Sequence, residues 1–94
     1  MKVAVVVPLF NKAPYIQRAL DSVLAQTHHD FELIVVDDGS TDAGGDVIRR
    51  CKDSRVRLVV QQNRGENAAR NRGVADTTAE WVAFLDAEPQ RRLS

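Results

Sequence analysis

The chain has 94 residues, and thirteen Lys and Arg balance thirteen Asp and Glu, so its formal net charge is zero. That length makes one domain or part of one. The balanced charge excludes a general nucleic-acid binder or a basic membrane-surface protein, which need a cationic field. A hydrophobic fraction of 44% is too high for a disordered chain, and no apolar run approaches the ~20 residues of a membrane span.

Val3 to Val7 is a β-branched apolar run that Pro8 stops. A run without alternation suits a strand buried on both faces, as in a parallel sheet. Met1-Lys2 lead straight into it, which does not read as a signal peptide. Asn11 to Pro14 reads as a helix start, with Pro14 in the first turn where its missing N–H costs nothing. Ile16, Ala19, Leu20, Val23 and Leu24 then recur at helical spacing. Thr27 to Asp30 is the link back, and His28-His29 are expected to be solvated there, since adjacent side chains in extended backbone point apart.

Phe31 to Val36 reads as a second strand running into Asp37-Asp38-Gly39-Ser40-Thr41-Asp42, a cluster of turn and cap residues. Asp42 in particular suits a helix cap. The following helix is expected to end near Lys52-Asp53, with a start frayed by Gly44 and Gly45, each costing roughly 1 kcal/mol relative to Ala. Its Cys51 is expected to be a small packing residue, and as the chain's single cysteine it excludes an internal disulfide and points to the reducing cytosol. Val56 to Val60 is a third strand, Gln61 to Gly65 a polar loop, and Glu66 to Val74 a short helix with Gly73 near its end. Glu80 to Leu85 is a fourth strand, ending at Asp86, with Trp81 expected in the core. This β-α-β-α-β-α-β order predicts an α/β three-layer sandwich with a mainly parallel sheet and right-handed connections. Residues 87–94 carry no recognisable element, and the fourth strand is expected to have little cover.

In an open parallel sheet, ligands bind outside the carboxyl ends of the strands. Three predicted strand ends carry notable groups: Pro8 to Asn11, Asp37 to Ser40, and Asp86 to Glu88. Two carboxylate clusters on one rim repel unless a cation or donors compensate them. A hard divalent ion, Mg²⁺ or Mn²⁺, is the natural compensation, and it keeps positions open for phosphate oxygens. Asp86 and Glu88 are two residues apart, so in extended backbone both side chains point the same way, toward one metal. The other phosphate-binding signatures are absent. There is no G-x-G-x-x-G after the first strand and no G-x-x-x-x-G-K-[ST], which removes dinucleotide dehydrogenases and P-loop NTPases.

Three further stretches complete a pattern. Val5-Val6-Val7-Pro8-Leu9-Phe10-Asn11-Lys12, then Leu20 to Thr27, then Phe31-Glu32-Leu33-Ile34-Val35-Val36-Asp37-Asp38-Gly39-Ser40-Thr41-Asp42 resemble the start of a family 2 glycosyltransferase of the GT-A fold. Asn63-Arg64-Gly65, Ala69 to Val74 and Phe84-Leu85-Asp86-Ala87-Glu88 are similar to later motifs of the same family, in the same order. The resemblance covers residues 2–88. It implies a Rossmann-like GT-A half-domain over residues 1–88, the nucleotide-diphospho-sugar-binding part, followed by a tail over 89–94.

The resemblance also implies the chemistry: transfer of a sugar from a nucleotide-diphospho-sugar donor to a hydroxyl of a saccharide or lipid-linked acceptor. By that match Pro8, Phe10 and Asn11 line the nucleoside pocket, together with Asp37 and Asp38, and Asp38 reaches the base or ribose. Asp86 and Glu88 take the ends of the metal-binding D-x-D triplet, with Mg²⁺ or Mn²⁺ neutralising the leaving diphosphate. Arg70 contacts diphosphate or nucleoside. The triplet ends in Glu88 where the family usually has Asp. The chain ends at Ser94, whereas family members continue, and their acceptor site and catalytic base come from that further part. No catalytic base is therefore expected here, and the isolated chain is expected to be inactive, as the donor half of an enzyme or as a non-catalytic remnant module. The expected compartment is the cytoplasm, including the inner face of a membrane.

Overall fold

A computed structural model describes residues 2–26 and 30–88 of the chain. Strands and helices alternate through them: β1 (Val3–Leu9), α1 (Ala13–Leu24), β2 (Phe31–Asp38), α2 (Gly44–Arg49), β3 (Val56–Gln61), α3 (Glu66–Ala75) and β4 (Trp81–Phe84). The expectations for His28-His29 and for the 89–94 tail lie outside the described residues. No helix among the described residues is long and apolar enough to cross a membrane.

The strands form one sheet in the order β3-β2-β1-β4, and every pairing is parallel. β1 sits at the centre, with Val6 opposite Ile34 of β2 on one side and Phe84 of β4 on the other. Period-2 alternation sends the β1 and β2 side chains into two cores. Val7, Leu9, Leu33 and Val35 pack against Ile16, Leu20 and Val23 of α1 and Ile48 of α2. Val6, Ile34 and Val36 pack against Ala69 of α3 on the opposite face. Both faces are covered, which is why these strands read as unbroken apolar runs. The chain steps from β1 to β2 to β3 with its helices on one face, then returns past β1 to β4 with α3 on the other. Right-handed crossovers require that change of face when the direction reverses. The reversal leaves a topological switch beside β1, at the carboxyl ends of β1 and β4.

Two expectations are corrected. Trp81 is not in the core: it is 60% exposed. Among the described residues β4 is an edge strand paired only to β1, and α3 lies over β1 and β2. An apolar run cannot by itself tell a central strand from an edge. The second helix ends at Arg49, ahead of Lys52-Asp53. Asp53 instead builds the turn into β3: its Oδ1 accepts from the Arg55 backbone N–H at 2.9 Å, and its Oδ2 accepts from Arg55 Nη2 at 2.7 Å. Cys51 packs at the edge of the larger core, as expected.

Candidate functional site

The acidic turn after β2 is held together residue by residue. Asp37 Oδ1 accepts from the Ser40 backbone N–H at 2.9 Å. Asp37 Oδ2 lies so close to α2 that a Cβ on Gly45 would stand 2.8 Å from it. Gly45 thus allows the close approach of α2 and is itself buried, so the helix start is packed where fraying was expected. Gly39 has φ +77°, and a Cβ there would meet the Asn63 backbone N at 2.8 Å. Conformation and space both call for glycine at that position.

Asp38 is 2% exposed and accepts four hydrogen bonds. Its Oδ1 takes Gln61 Nε2 at 2.9 Å and the Arg64 N–H at 2.8 Å. Its Oδ2 takes the Gly65 N–H at 2.9 Å and Asn63 Nδ2 at 3.2 Å. A carboxylate offers about four lone-pair sites, so its capacity is filled. Burial pushes the Asp38 pKa up, but the donors from Gln61, Arg64 and Gly65 outweigh it, and the group lies below the usual carboxylate value.

Asn11 and Asp42 tie this turn to the end of β1. Asn11 has φ +52°, a left-handed conformation that Asn tolerates better than most residues. Its Oδ1 accepts the Thr41 N–H at 2.8 Å, and its own N–H donates to Ser40 Oγ at 3.0 Å. Asp42 caps two helices at once. Its Oδ2 accepts from Ala13 N–H, the first residue of α1, and its Oδ1 from Gly44 N–H, the first of α2, both at 3.0 Å. Neither helix has a side-chain cap from its own N-cap residue, so one carboxylate satisfies both ends.

Above this frame lies a cavity of about 550 Å³, lined by Pro8, Leu9, Phe10, Lys12, Asp38, Asn63, Gly65, Glu66, Asp86 and Glu88. That is the size of a small-molecule site, and it sits at the strand switch. β4 ends at Phe84, and Ala87 is 3% exposed in the core beneath. Asp86 and Glu88, on either side of Ala87, both face the cavity. Lys12 Nζ stands 2.5 Å from Glu88 Oε2. The hydrogen bond to Glu88 raises the Lys12 pKa, with further attraction from Asp86.

Of the residues singled out in the sequence, Pro8, Phe10, Asp38, Asp86 and Glu88 line one cavity. Asn11, Asp37 and Arg70 are not among its lining. Asn11 and Asp37 brace the turn beneath it. Arg70 Nη2 donates to Glu66 Oε1 at 2.6 Å and reaches the cavity only through that glutamate. Lys12, Asn63, Gly65 and Glu66 also line the site; the first three lie in motifs of the family resemblance, but none of the four was given a role in the site. The rule that strand ends form the site pointed to the loop after β3 as well, but that loop shows no carboxylate pair to draw the eye. Among the described residues no group of three or more His, Cys, Asp or Glu converges as a ready-made metal cage. Two oxygen-only ligands still suit Mg²⁺ or Mn²⁺, which commonly take one or two carboxylates and fill the rest with water and phosphate. The Lys12 ammonium on Glu88 shows that this corner already accommodates a cation.

A family model described as glycosyl transferase family 2 matches residues 4–88. The chain belongs to glycosyl transferase family 2. An uncharacterized glycosyltransferase of Nostoc sp. is 46% identical over 91 residues, covering 94% of this chain and 28% of the relative. Among solved structures, the mannosyltransferase PcManGT from Pyrobaculum calidifontis, in complex with GDP-Man and Mn²⁺, aligns with a TM-score of 0.85 at 35% identity. It covers 90% of this chain and 27% of that one. Staphylococcus aureus TarS in complex with UDP-GlcNAc aligns with a TM-score of 0.86 at 29% identity, covering 93% of this chain and 26% of that one. The sheet and helices described above are therefore those of a GT-A glycosyltransferase, and the chain spans about a quarter of the length of these proteins.

Proposed function

We propose that residues 2–88 form the donor-binding half of a glycosyltransferase that moves a sugar from a nucleotide-diphospho-sugar to an acceptor hydroxyl. The observation that carries this reading is the convergence of Pro8, Phe10, Asp38, Asp86 and Glu88, from three strand ends, on one cavity. Two solved relatives hold GDP-Man with Mn²⁺ and UDP-GlcNAc, which supports a nucleotide-sugar donor and a divalent metal for this chain too.

Pro8 and Phe10 form the apolar wall for the nucleoside, and Phe10, 45% exposed, offers a ring face to the base. Asp38 holds the facing wall through the Asn63–Gly65 loop. The lone pair that Asn63 occupies at 3.2 Å is the weakest of its four bonds and the one a base or ribose donor would take over. Asn11 and Asp37 fix the floor, and Arg70 holds Glu66 at the rim. Asp86 and Glu88 hold the metal, which when bound supplies a Lewis acid for the departing diphosphate. The general base and the acceptor site, for a saccharide or lipid-linked hydroxyl, are not assigned to residues 2–88 in this reading.

The test is a thermal-shift titration with UDP, GDP and dTDP, each with and without Mn²⁺. At least one should raise the melting temperature with the form RT ln(1 + [L]/Kd), and more strongly with metal. A folded sample that responds to no nucleotide sinks the donor-site reading. Donor binding without sugar transfer in the complete protein would favour the alternative, a non-catalytic nucleotide-binding module.

A further inference from the structure

The chain leaving β3 has two sides. Asn63 and Gly65 line the donor cavity. Gln61, Gln62 and Arg64 line a second cavity of about 590 Å³, bounded on its other side by Ala68, Asn71 and Arg72 of α3. The segment is thus a wall between two cavities. Gln61 Nε2 and the Arg64 N–H both donate to Asp38 Oδ1.

The two cavities differ in charge. Four carboxylates and one lysine line the donor cavity. Two guanidinium groups, three side-chain amides and no carboxylate line the second. Arg72 Nε lies 3.6 Å from Asp76 Oδ1, with the Arg72 side chain 46% exposed, and Asp76 is shared with Arg57 Nη2 at 3.7 Å. A wet pair of that kind holds a guanidinium weakly and leaves most of its five donors unused. Among the described residues, the Arg64 guanidinium and the side-chain amides of Gln62 and Asn71 make no hydrogen bond or ion pair. The residues outside the description include no Asp or Glu, so no further acidic side chain neutralises the two arginines. Guanidinium forks match the oxygens of a phosphate, and amides add donors without adding charge.

We propose that this second cavity binds a phosphate dianion between Arg64 on the β3–α3 segment and Asn71 and Arg72 on α3. The site is separate from the donor cavity and does not depend on the donor reading. A bound phosphate ties the segment to the helix, so the wall that supplies donors to Asp38 opens less often.

The test is an NMR titration of the full chain with inorganic phosphate, at neutral pH and constant ionic strength, without metal. The backbone amides of Gln62, Arg64, Asn71 and Arg72 and the side-chain amides of Gln62 and Asn71 should shift together and saturate. The expected Kd is about 1–10 mM, the scale of a few exposed charge-assisted hydrogen bonds. Chloride at the same ionic strength should leave these signals in place. At phosphate about ten times Kd, hydrogen exchange at the Arg64 and Gly65 amides should slow about tenfold, because the anion binds only the closed segment. Arg64→Gln should weaken phosphate binding about tenfold. Arg72→Gln should weaken it about threefold, since part of that fork faces Asp76, and it carries the test should Arg64→Gln fail to fold. Arg64→Lys keeps the charge without the fork and should recover part of the loss.

A titration that never saturates overturns the proposal, as do equal shifts with chloride, which would mean general screening. Shifts centred on Pro8, Phe10 and Asp86 would move the anion to the donor cavity and also overturn it. So does unchanged phosphate affinity in both Arg64→Gln and Arg72→Gln. Unslowed exchange at Arg64 and Gly65 in the saturated protein overturns the firming of the wall.

Discussion

At the end of β2, Asp38 is 2% exposed and every lone-pair site of its carboxylate holds a donor from the same chain. At the end of β4, across the same cavity, Asp86 is exposed and Glu88 has a lysine as its neighbour at 2.5 Å. The two acidic ends look alike as sequence and are built for different work. The first sets shape: Asp37, Asp38 and Asp42 join two loops and two helix ends into a fixed floor and wall. The second supplies charge and stays open to exchange. The donor site proposed above needs both, a rigid end for recognition and a labile end for ions.

The sharpest way to break this comparison is to remove one carboxylate from each end. Asp38→Ala should cost about 3 kcal/mol in urea unfolding, because buried donors, two of them backbone amides, lose a charged acceptor. Asp86→Ala should change stability by less than about 0.5 kcal/mol, as exposed substitutions do, while abolishing the metal dependence of nucleotide binding. Equal losses of stability at the two sites would erase the distinction. Metal-dependent binding that survives in Asp86→Ala would remove that residue from the metal corner. Asp42→Ala comes next, at about 2 kcal/mol, since two helices each lose a cap worth roughly 1 kcal/mol. Asp42→Asn keeps one acceptor oxygen and should recover about half of that. In a domain of this size each 1 kcal/mol moves the melting temperature by roughly 4–8 °C, so the series is readable by calorimetry.

Much of this was legible because it is local. The apolar runs of β1 and β2, the helical stripe of Ile16, Leu20 and Val23, and the rule placing ligands at strand ends led to the parallel sheet and to Asp38, Asp86 and Glu88. What was hidden depends on distant pairing. Asp42 suggested a cap, but nothing nearby says that it also caps α1 through Ala13, 29 residues away. Lys12 meets Glu88 across 76 residues, a contact no periodicity reveals. Trp81 misled because hydrophobicity alone does not tell an edge strand from a central one. Arg70 carries the right charge for a phosphate contact, yet a glutamate one helical turn away, at i−4, engages it first.

Acid titration sharpens the comparison with the smallest expected effect. Two carboxylates have pKa values below their ordinary range: Asp38 on the rim, through Gln61 and the Arg64 and Gly65 amides that outweigh its burial, and Asp53 in the α2–β3 turn, lowered to about 2 by hydrogen bonds from Arg55. For each, the unfolded chain binds its proton at a higher pH than the folded one. Their stabilising contribution is therefore complete well above the ordinary carboxylate pKa of about 4 and is lost as the pH falls through each folded-state value, about 2 for Asp53. Unfolding midpoints in urea should be flat from pH 7 to 5 with respect to these groups and decline below pH 4. Asp53→Asn should remove part of that decline and leave nucleotide binding untouched, because the α2–β3 turn lies outside the cavity lining. A decline unchanged in Asp53→Asn would take Asp53 out of the acid sensitivity, and the same titration of Asp38→Asn would then show whether the carboxylate in the cavity wall carries it.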